Sequence, residues 1–173
     1  MALSFEFFPP KTDEQRQQLD RTVEKLKAFA PRFVSVTFGA GGSTLSYTPE
    51  TIRHLRGAHG LDAAPHLSCV GGTRAEIVEL LGRYKAMGCT RLVALRGDIP
   101  SGMGALGELR YAEDLVRLVR AEFGDAFHIE VGAYPEVHPQ ADDALVDLKH
   151  FAAKMAAGAD SAITQYFYNA DAY

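Results

Sequence analysis

The sequence predicts an α/β fold, a (β/α)8 barrel of the TIM type present as an incomplete barrel of about six βα units. Three observations lead there. Short β-branched or aromatic runs recur roughly thirty residues apart, and segments with helical periodicity lie between them. Every one of the six runs also brings a polar side chain near its C-terminal end. An open doubly wound sheet concentrates its ligand groups after one or two strands, whereas a barrel turns every strand end toward one ligand on its C-terminal rim. Six units are two short of eight, and 173 residues fall below the ~250 usual for such barrels. The expectation is therefore a fragment, 1–173, forming part of one catalytic domain and lacking the last two βα units.

The elements follow in order. The first strand is expected at Leu3 to Phe8, where Ser4 and Glu6 share one face and Phe5 and Phe7 take the other. Asp13 with Gln15 and Gln17 opens the first helix, whose apolar stripe is Leu19, Val23, Leu26 and Phe29. Phe33 to Thr37 sets Ser35 and Thr37 opposite Val34 and Val36, so one face of both strands is the wetter. Ala64 to Ser68 places His66 with Ser68; Thr73 caps the third helix, which carries Ile77, Leu80, Leu81 and Tyr84 and stops near Gly88. The fourth strand, Arg91 to Leu95, ends in Arg96 and Asp98. A long glycine-bearing loop from Asp98 to Arg110 leads to a helix with Leu115, Leu118 and Val119. His128 to Ala133 ends in Tyr134, the next helix stops near Gly158, and Ser161 to Phe167 carries Gln165.

Composition narrows the function. Apolar residues make up 47% of the chain, enough for one core, and the formal charge of −4 comes without any basic cluster. A nucleic-acid binder or an anionic-membrane binder is not expected. No apolar run approaches the ~20 residues that span a bilayer. The first twenty residues resemble neither a secretory h-region nor a transit helix, so a cytoplasmic protein is expected. Cys69 and Cys89 are twenty positions apart without C-x-x-C or matching histidine spacing, which predicts buried reduced thiols, no disulfide framework and no metal site.

Several residues can carry chemistry. Glu6 lies among three phenylalanines ahead of Pro9 and Pro10; desolvation would raise its pKa and suit it to general-acid work, while a strand-end Glu paired with an Arg is the equal alternative. Phe38 to Ser43 is glycine-rich but lacks the G-x-G-x-x-G spacing, so a plain turn competes with close backbone approach to a flat ligand. Arg96, Gly97 and Asp98 form either an ion pair or a cofactor clamp, and their place at a strand terminus favours the clamp. Tyr134 and His138 sit on a rim loop held by two prolines, where a ring could be stacked. Asp147, His150 and Lys154 share one helix side, ordinarily a solvated face. His54, His59 and His128 receive no partner and no role.

Six motifs in order, SFEFFPPK from Ser4, FVSVTFGAGGS from Phe33, APHLSC from Ala64, VALRGD from Val93, AYPEVHP from Ala133 and ITQYFY from Ile163, resemble the methylenetetrahydrofolate reductase family across essentially the whole chain. The resemblance implies an FAD-dependent oxidoreductase of one-carbon metabolism and methionine biosynthesis. It would pass hydride from NAD(P)H through the flavin to 5,10-methylenetetrahydrofolate, giving 5-methyltetrahydrofolate, and would be homo-oligomeric when full length. It implies Glu6 as the general acid and Asp98 as a charge near flavin and folate. Flavin contacts fall on Phe38, Ala40, His66, Arg96, Gly97, Asp98, Tyr134 and His138, with Tyr111 and Ala112 near the adenine and Ala141, Asp147 and Lys154 near ribose and diphosphate. Thr37 and Gln165, with Asp98, would meet the substrates. A non-flavin barrel aldolase or phosphate-sugar enzyme, or a fragment that only binds nucleotide or folate, is the alternative.

Overall fold

The computed structural model describes residues 2–38, 47–69, 72–97 and 107–173. Among them six strands, β1 (Ser4–Phe7), β2 (Phe33–Val36), β3 (Ala63–Ser68), β4 (Arg91–Leu95), β5 (His128–Ala133) and β6 (Ser161–Thr164), form one sheet in the order β1-β2-β3-β4-β5-β6. Every neighbouring pair is parallel. Each pair is joined through a helix: α1 (Asp13–Leu26), α2 (Tyr47–His59), α3 (Arg74–Ala86), α4 (Ala112–Phe123) and α5 (Ala144–Ala156). Parallel strands laid down strictly in sequence order, with a helix in each crossover, make an arc of a (β/α)8 barrel; a doubly wound sheet would reverse its order at a switch point.

Two faces of that arc differ. Phe7, Val34, Val36, Leu67, Leu92, Ala94, Ile129 and Val131 are buried. They meet the helical stripes Leu19 and Val23, Ile52 and Leu55, Ile77 and Leu81, and Leu115 and Val119 in one core. The opposite, inner face is lined by the polar partners in the strand alternation, which is where a ligand can be met.

Local chemistry places the helices. Thr12, rather than Asp13, caps α1: its hydroxyl accepts from the Gln15 amide at 3.2 Å, and the Gln15 side chain accepts from the Lys11 amide. Asp13 is simply the first helical residue, since a Thr one position earlier already supplies the oxygen. Thr73 and Glu76 form a reciprocal capping box on α3. Gly88 and Gly158 follow α3 and α5 at φ +78° and +111°, as expected of glycine helix stops.

The far end differs from expectation. β6 stops at Thr164 instead of Phe167, although the Gln165 amide still donates to the Ala133 carbonyl at 2.8 Å. No residue of α5 is fully buried, and Leu145, Leu148, Tyr166 and Tyr168 are exposed. β6 pairs on one side only among the described residues, so its outer flank has no neighbour against which to bury side chains. No helix among the described residues is long and apolar enough to cross a membrane.

Candidate active site

The parallel register decides which side chains can meet. Glu6 pairs with Ser35 and Ser35 with Ala64. Two residues on from Ala64, His66 pairs with Val93, Val93 with Glu130, and Glu130 with Ser161. Because alternate residues share a face, Glu6, Thr37, His66, Ser68 and Gln165 all belong to the inner face. The groups nearest the strands' N-terminal ends there are structural: Arg91 bridges Glu130 at 3.3 Å and Asp62 at 3.7 Å and covers the Phe33 ring, which plugs the floor.

Glu6 and His66 meet higher up, with Glu6 Oε2 3.3 Å from His66 Nε2. The alternative of a Glu6–Arg pair is thus replaced by a histidine. Burial raises the Glu6 carboxyl above its ordinary range and pushes His66 down to about 4. Both groups are driven toward their neutral forms. The phenylalanines do not act as expected, since Phe7 points into the helical layer and Phe8 is 79% exposed. Desolvation comes from the barrel wall instead, and water still reaches a Glu6 side chain that is half exposed. His66 Nε2 is buried and has no aligned hydrogen-bond partner among the described residues. An imidazole in that state awaits a polar group.

The second feature is a hollow of about 240 Å³ beyond the C-terminal ends of β4 and β5, walled by the first turns of α4 and α5. Arg96, Tyr111, Ala112, Tyr134, His138, Ala141, Asp147 and Lys154, all singled out from sequence, line it together. The side of α5 carrying Asp147, His150 and Lys154 therefore faces the hollow, not open solvent. Asp147 accepts from the His138 amide at 3.0 Å and so holds the rim loop. The Tyr134 and His138 rings meet edge-to-face at 4.4 Å, while Tyr111 stacks on His150 at 4.8 Å. Lys154 Nζ donates to the Gly132 carbonyl; burial lowers its pKa, opposed by Asp147 and Glu113. Arg96 bonds Gln140 and the Gly97 carbonyl.

Arg96 and Lys154 share the hollow with Glu113, Asp142 and Asp147, so its side-chain charge is mixed, and the two helix N-termini beside it supply the positive bias toward an anionic group. Gly97, at φ +85°, turns the chain out of β4 where a side chain would be strained. Phe38 packs partly buried against the core rather than in the hollow. Ala40 and Asp98 lie outside the described residues. Gln140, Glu113 and Val146 also line the hollow and carry no motif by which sequence reading finds them. His54, His59 and His128, left without partners above, have them: the first two reach Asp20, and His128 Nε2 lies 2.8 Å from the Ser161 hydroxyl.

Residues 1–173 match the family model described as Methylenetetrahydrofolate reductase. The chain belongs to that family. It is 44% identical over 171 residues to the 5,10-methylenetetrahydrofolate reductases of Salmonella typhimurium and Escherichia coli, covering 99% of this chain and 56% of each relative. To methylenetetrahydrofolate reductase (NADH) 1 of Zea mays it is 36% identical over 185 residues, 31% of that protein. The chain thus spans about half the length of its bacterial relatives. Among solved structures, 2,3-dimethylmalate lyase superposes with a TM-score of 0.63 at 9% identity, covering 99% of this chain and 59% of that one. An uncharacterized Clostridium thermocellum protein, described as binding two copies of 5-methyl-5,6,7,8-tetrahydrofolic acid, gives 0.58 at 16%, with coverage of 99% and 56%. At such identities the likeness of these two to the chain shows the barrel fold alone.

Proposed function

We propose that the chain supplies the flavin-binding and proton-donating part of an enzyme that reduces 5,10-methylenetetrahydrofolate to 5-methyltetrahydrofolate at the expense of NAD(P)H. The observation that carries this reading is the hollow on β4 and β5, where cationic side chains, helix N-termini and ring faces converge. The donor set fits FAD. Lys154 and the first turn of α5 suit a diphosphate, Tyr111 and Ala112 offer a wall for adenine, and Arg96, Tyr134 and His138 border the strand ends where an isoalloxazine would lie. The orphaned His66 Nε2 can meet a polar edge of that ring. Bound flavin supplies the hydride relay between nicotinamide and folate.

The chain's own residues then have separate tasks. Glu6, whose carboxyl burial raises above its ordinary range, donates its proton to a folate nitrogen so that the bridging ring opens to an iminium able to take hydride. His66, kept neutral by burial 3.3 Å away, leaves the carboxyl its proton. Gln165 and Thr37 share the inner face with Glu6 and orient the substrates.

The test is a titration of purified protein with FAD, read by flavin fluorescence, on wild type and Lys154→Met. A charged hydrogen bond to phosphate contributes about 1.5–3 kcal/mol, so the variant should bind roughly 10- to 150-fold more weakly. Equal affinity in a folded variant removes Lys154 from the nucleotide site.

A further inference from the structure

On the outer layer, between α1 and α2, the side chains of Asp20, His54 and His59 converge. His54 Nε2 lies 2.6 Å and His59 Nε2 2.8 Å from the same Asp20 oxygen, Oδ1, and the ligating atoms of all three fall within 4.8 Å of one another. The two imidazoles stand edge-to-face, 5.2 Å apart. His59 is nearly buried, while Asp20 remains about one-third exposed, so the cluster has a solvent-facing side. We propose that these three residues form a binding site for a divalent transition metal, with zinc the cation whose ligand preferences fit best.

Donor chemistry supports the choice. Two imidazole nitrogens and one carboxylate oxygen suit zinc and its borderline-soft neighbours; calcium and magnesium require an oxygen shell that this cluster does not offer. Metal–ligand bonds of about 2.0–2.1 Å in a tetrahedron set neighbouring ligands about 3.3 Å apart. Asp20 Oδ1 must withdraw by roughly 0.5–0.7 Å from its present hydrogen-bonding position and the two imidazole nitrogens, within 4.8 Å of each other, must close toward that spacing. The fourth position opens to water.

A fourth residue makes the site more than a crossing of charges. Glu24, one turn beyond Asp20 on α1, has Oε1 2.9 Å from His59 Nδ1. A carboxylate only accepts, so Nδ1 carries a proton toward Glu24 and Nε2 one toward Asp20; metal binding releases the Nε2 proton to water and leaves Nδ1–H on Glu24. That carboxylate–histidine–metal relay is the usual way a ligating ring is oriented. His59 is also the last residue of α2, and the negative end of a helix dipole favours a cation there. Bound metal would staple α1 to α2, the helices that follow β1 and β2, on the layer opposite the inner face that carries Glu6.

The experiment is calorimetric titration of chelator-treated protein with Zn²⁺, repeated with Co²⁺ and followed by visible absorption. The expected result is one saturable site per chain with a nitrogen- and oxygen-ligated cobalt spectrum. Asp20→Asn and His54→Gln should abolish the saturable isotherm, while Glu24→Gln should keep the stoichiometry and weaken binding about 10- to 100-fold. Circular dichroism establishes that each variant is folded; His54→Gln, the less buried of the two histidines, decides the matter if His59→Gln fails to fold. Absence of a saturable site in wild type overturns the proposal. So does a site untouched by both Asp20→Asn and His54→Gln, or a cobalt spectrum with thiolate character, either of which assigns the metal elsewhere.

Discussion

Arg120→Met tests how the lower end of the sheet is held. The guanidinium donates from Nε to the Gly158 carbonyl at 2.9 Å, and from Nη1 to those of Gly124 and Phe127 at 2.9 and 2.8 Å. From Nη2 it donates to Asp160 Oδ2 at 2.5 Å. Asp160 Oδ2 in turn accepts from the Ile129 amide. One side chain therefore ties the end of α4 to the starts of β5 and β6. Methionine preserves most of the stem and removes every donor. Four charged hydrogen bonds at about 1.5–3 kcal/mol each would overshoot, because they share one group and the Gly124 end is wet. Arg120 is largely buried but Asp160 is exposed, so the expected loss is about 1.5–3 kcal/mol, that of one charged group losing its hydrogen bonds. At roughly 2–4 °C per kcal/mol for a chain of this size, the melting temperature should fall by about 3–12 °C. Burial opposes ionisation of Asp160, but the Ile129 amide and Arg120 outweigh it and hold the carboxyl below its usual range. A lowered carboxyl stabilises the fold above its unfolded pKa and ceases to do so as pH falls through the folded value. The penalty of the substitution should therefore shrink in strong acid. Urea unfolding at neutral pH and in acid measures both effects. A loss below about 1 kcal/mol at neutral pH would refute the view that this side chain joins α4 to β5 and β6.

Other consequences are as direct. His66, held neutral by burial, should titrate near 4 by NMR against an ordinary 6.5. Its depressed value leaves stability intact above 6.5 and erodes it as pH falls toward 4, by roughly 3 kcal/mol in all, so His66→Gln should flatten that part of the pH–stability curve. Thr73→Ala removes the oxygen that accepts from the Glu76 amide and should cost about 1 kcal/mol in urea unfolding; no change would mean the capping box is idle. Leu115→Ala, at a fully buried position under β4, should cost about 2–5 kcal/mol.

Much of the architecture was legible because period-2 and period-3.6 patterns are imposed by burial on one side of each element. Arg91–Leu95 and His128–Ala133 are bounded as the β-branched runs suggest. The sequence extends β6 to Phe167 because Tyr166 and Phe167 have strand-like side chains, yet strand pairing needs a partner beside them and the strand ends at Thr164. Of the eight hollow-lining residues, Arg96, Tyr134 and His138 are legible from their place after strand ends, whereas Tyr111, Ala112 and Ala141 are legible only through motif resemblance. Asp147, His150 and Lys154 show a charged helix side in sequence, and nothing in that spacing says which neighbour it faces. The run of phenylalanines suggests a shield for Glu6, whereas alternation sends Phe7 to the other face and the real neighbour, His66, is sixty residues away. The Asp20–His54–His59 cluster was invisible for the same reason: its members sit on two helices, and only packing of α1 on α2 aligns them.

Anaerobic stopped-flow measurement of the two half-reactions in FAD-loaded Glu6→Gln bears most directly on the role of the first-strand carboxyl. Reduction of the flavin by NAD(P)H should proceed nearly as in wild type, while oxidation by 5,10-methylenetetrahydrofolate should slow about 10²- to 10⁴-fold, the usual worth of a positioned acid. An equal slowing of both, or of neither, would contradict a proton delivered from Glu6.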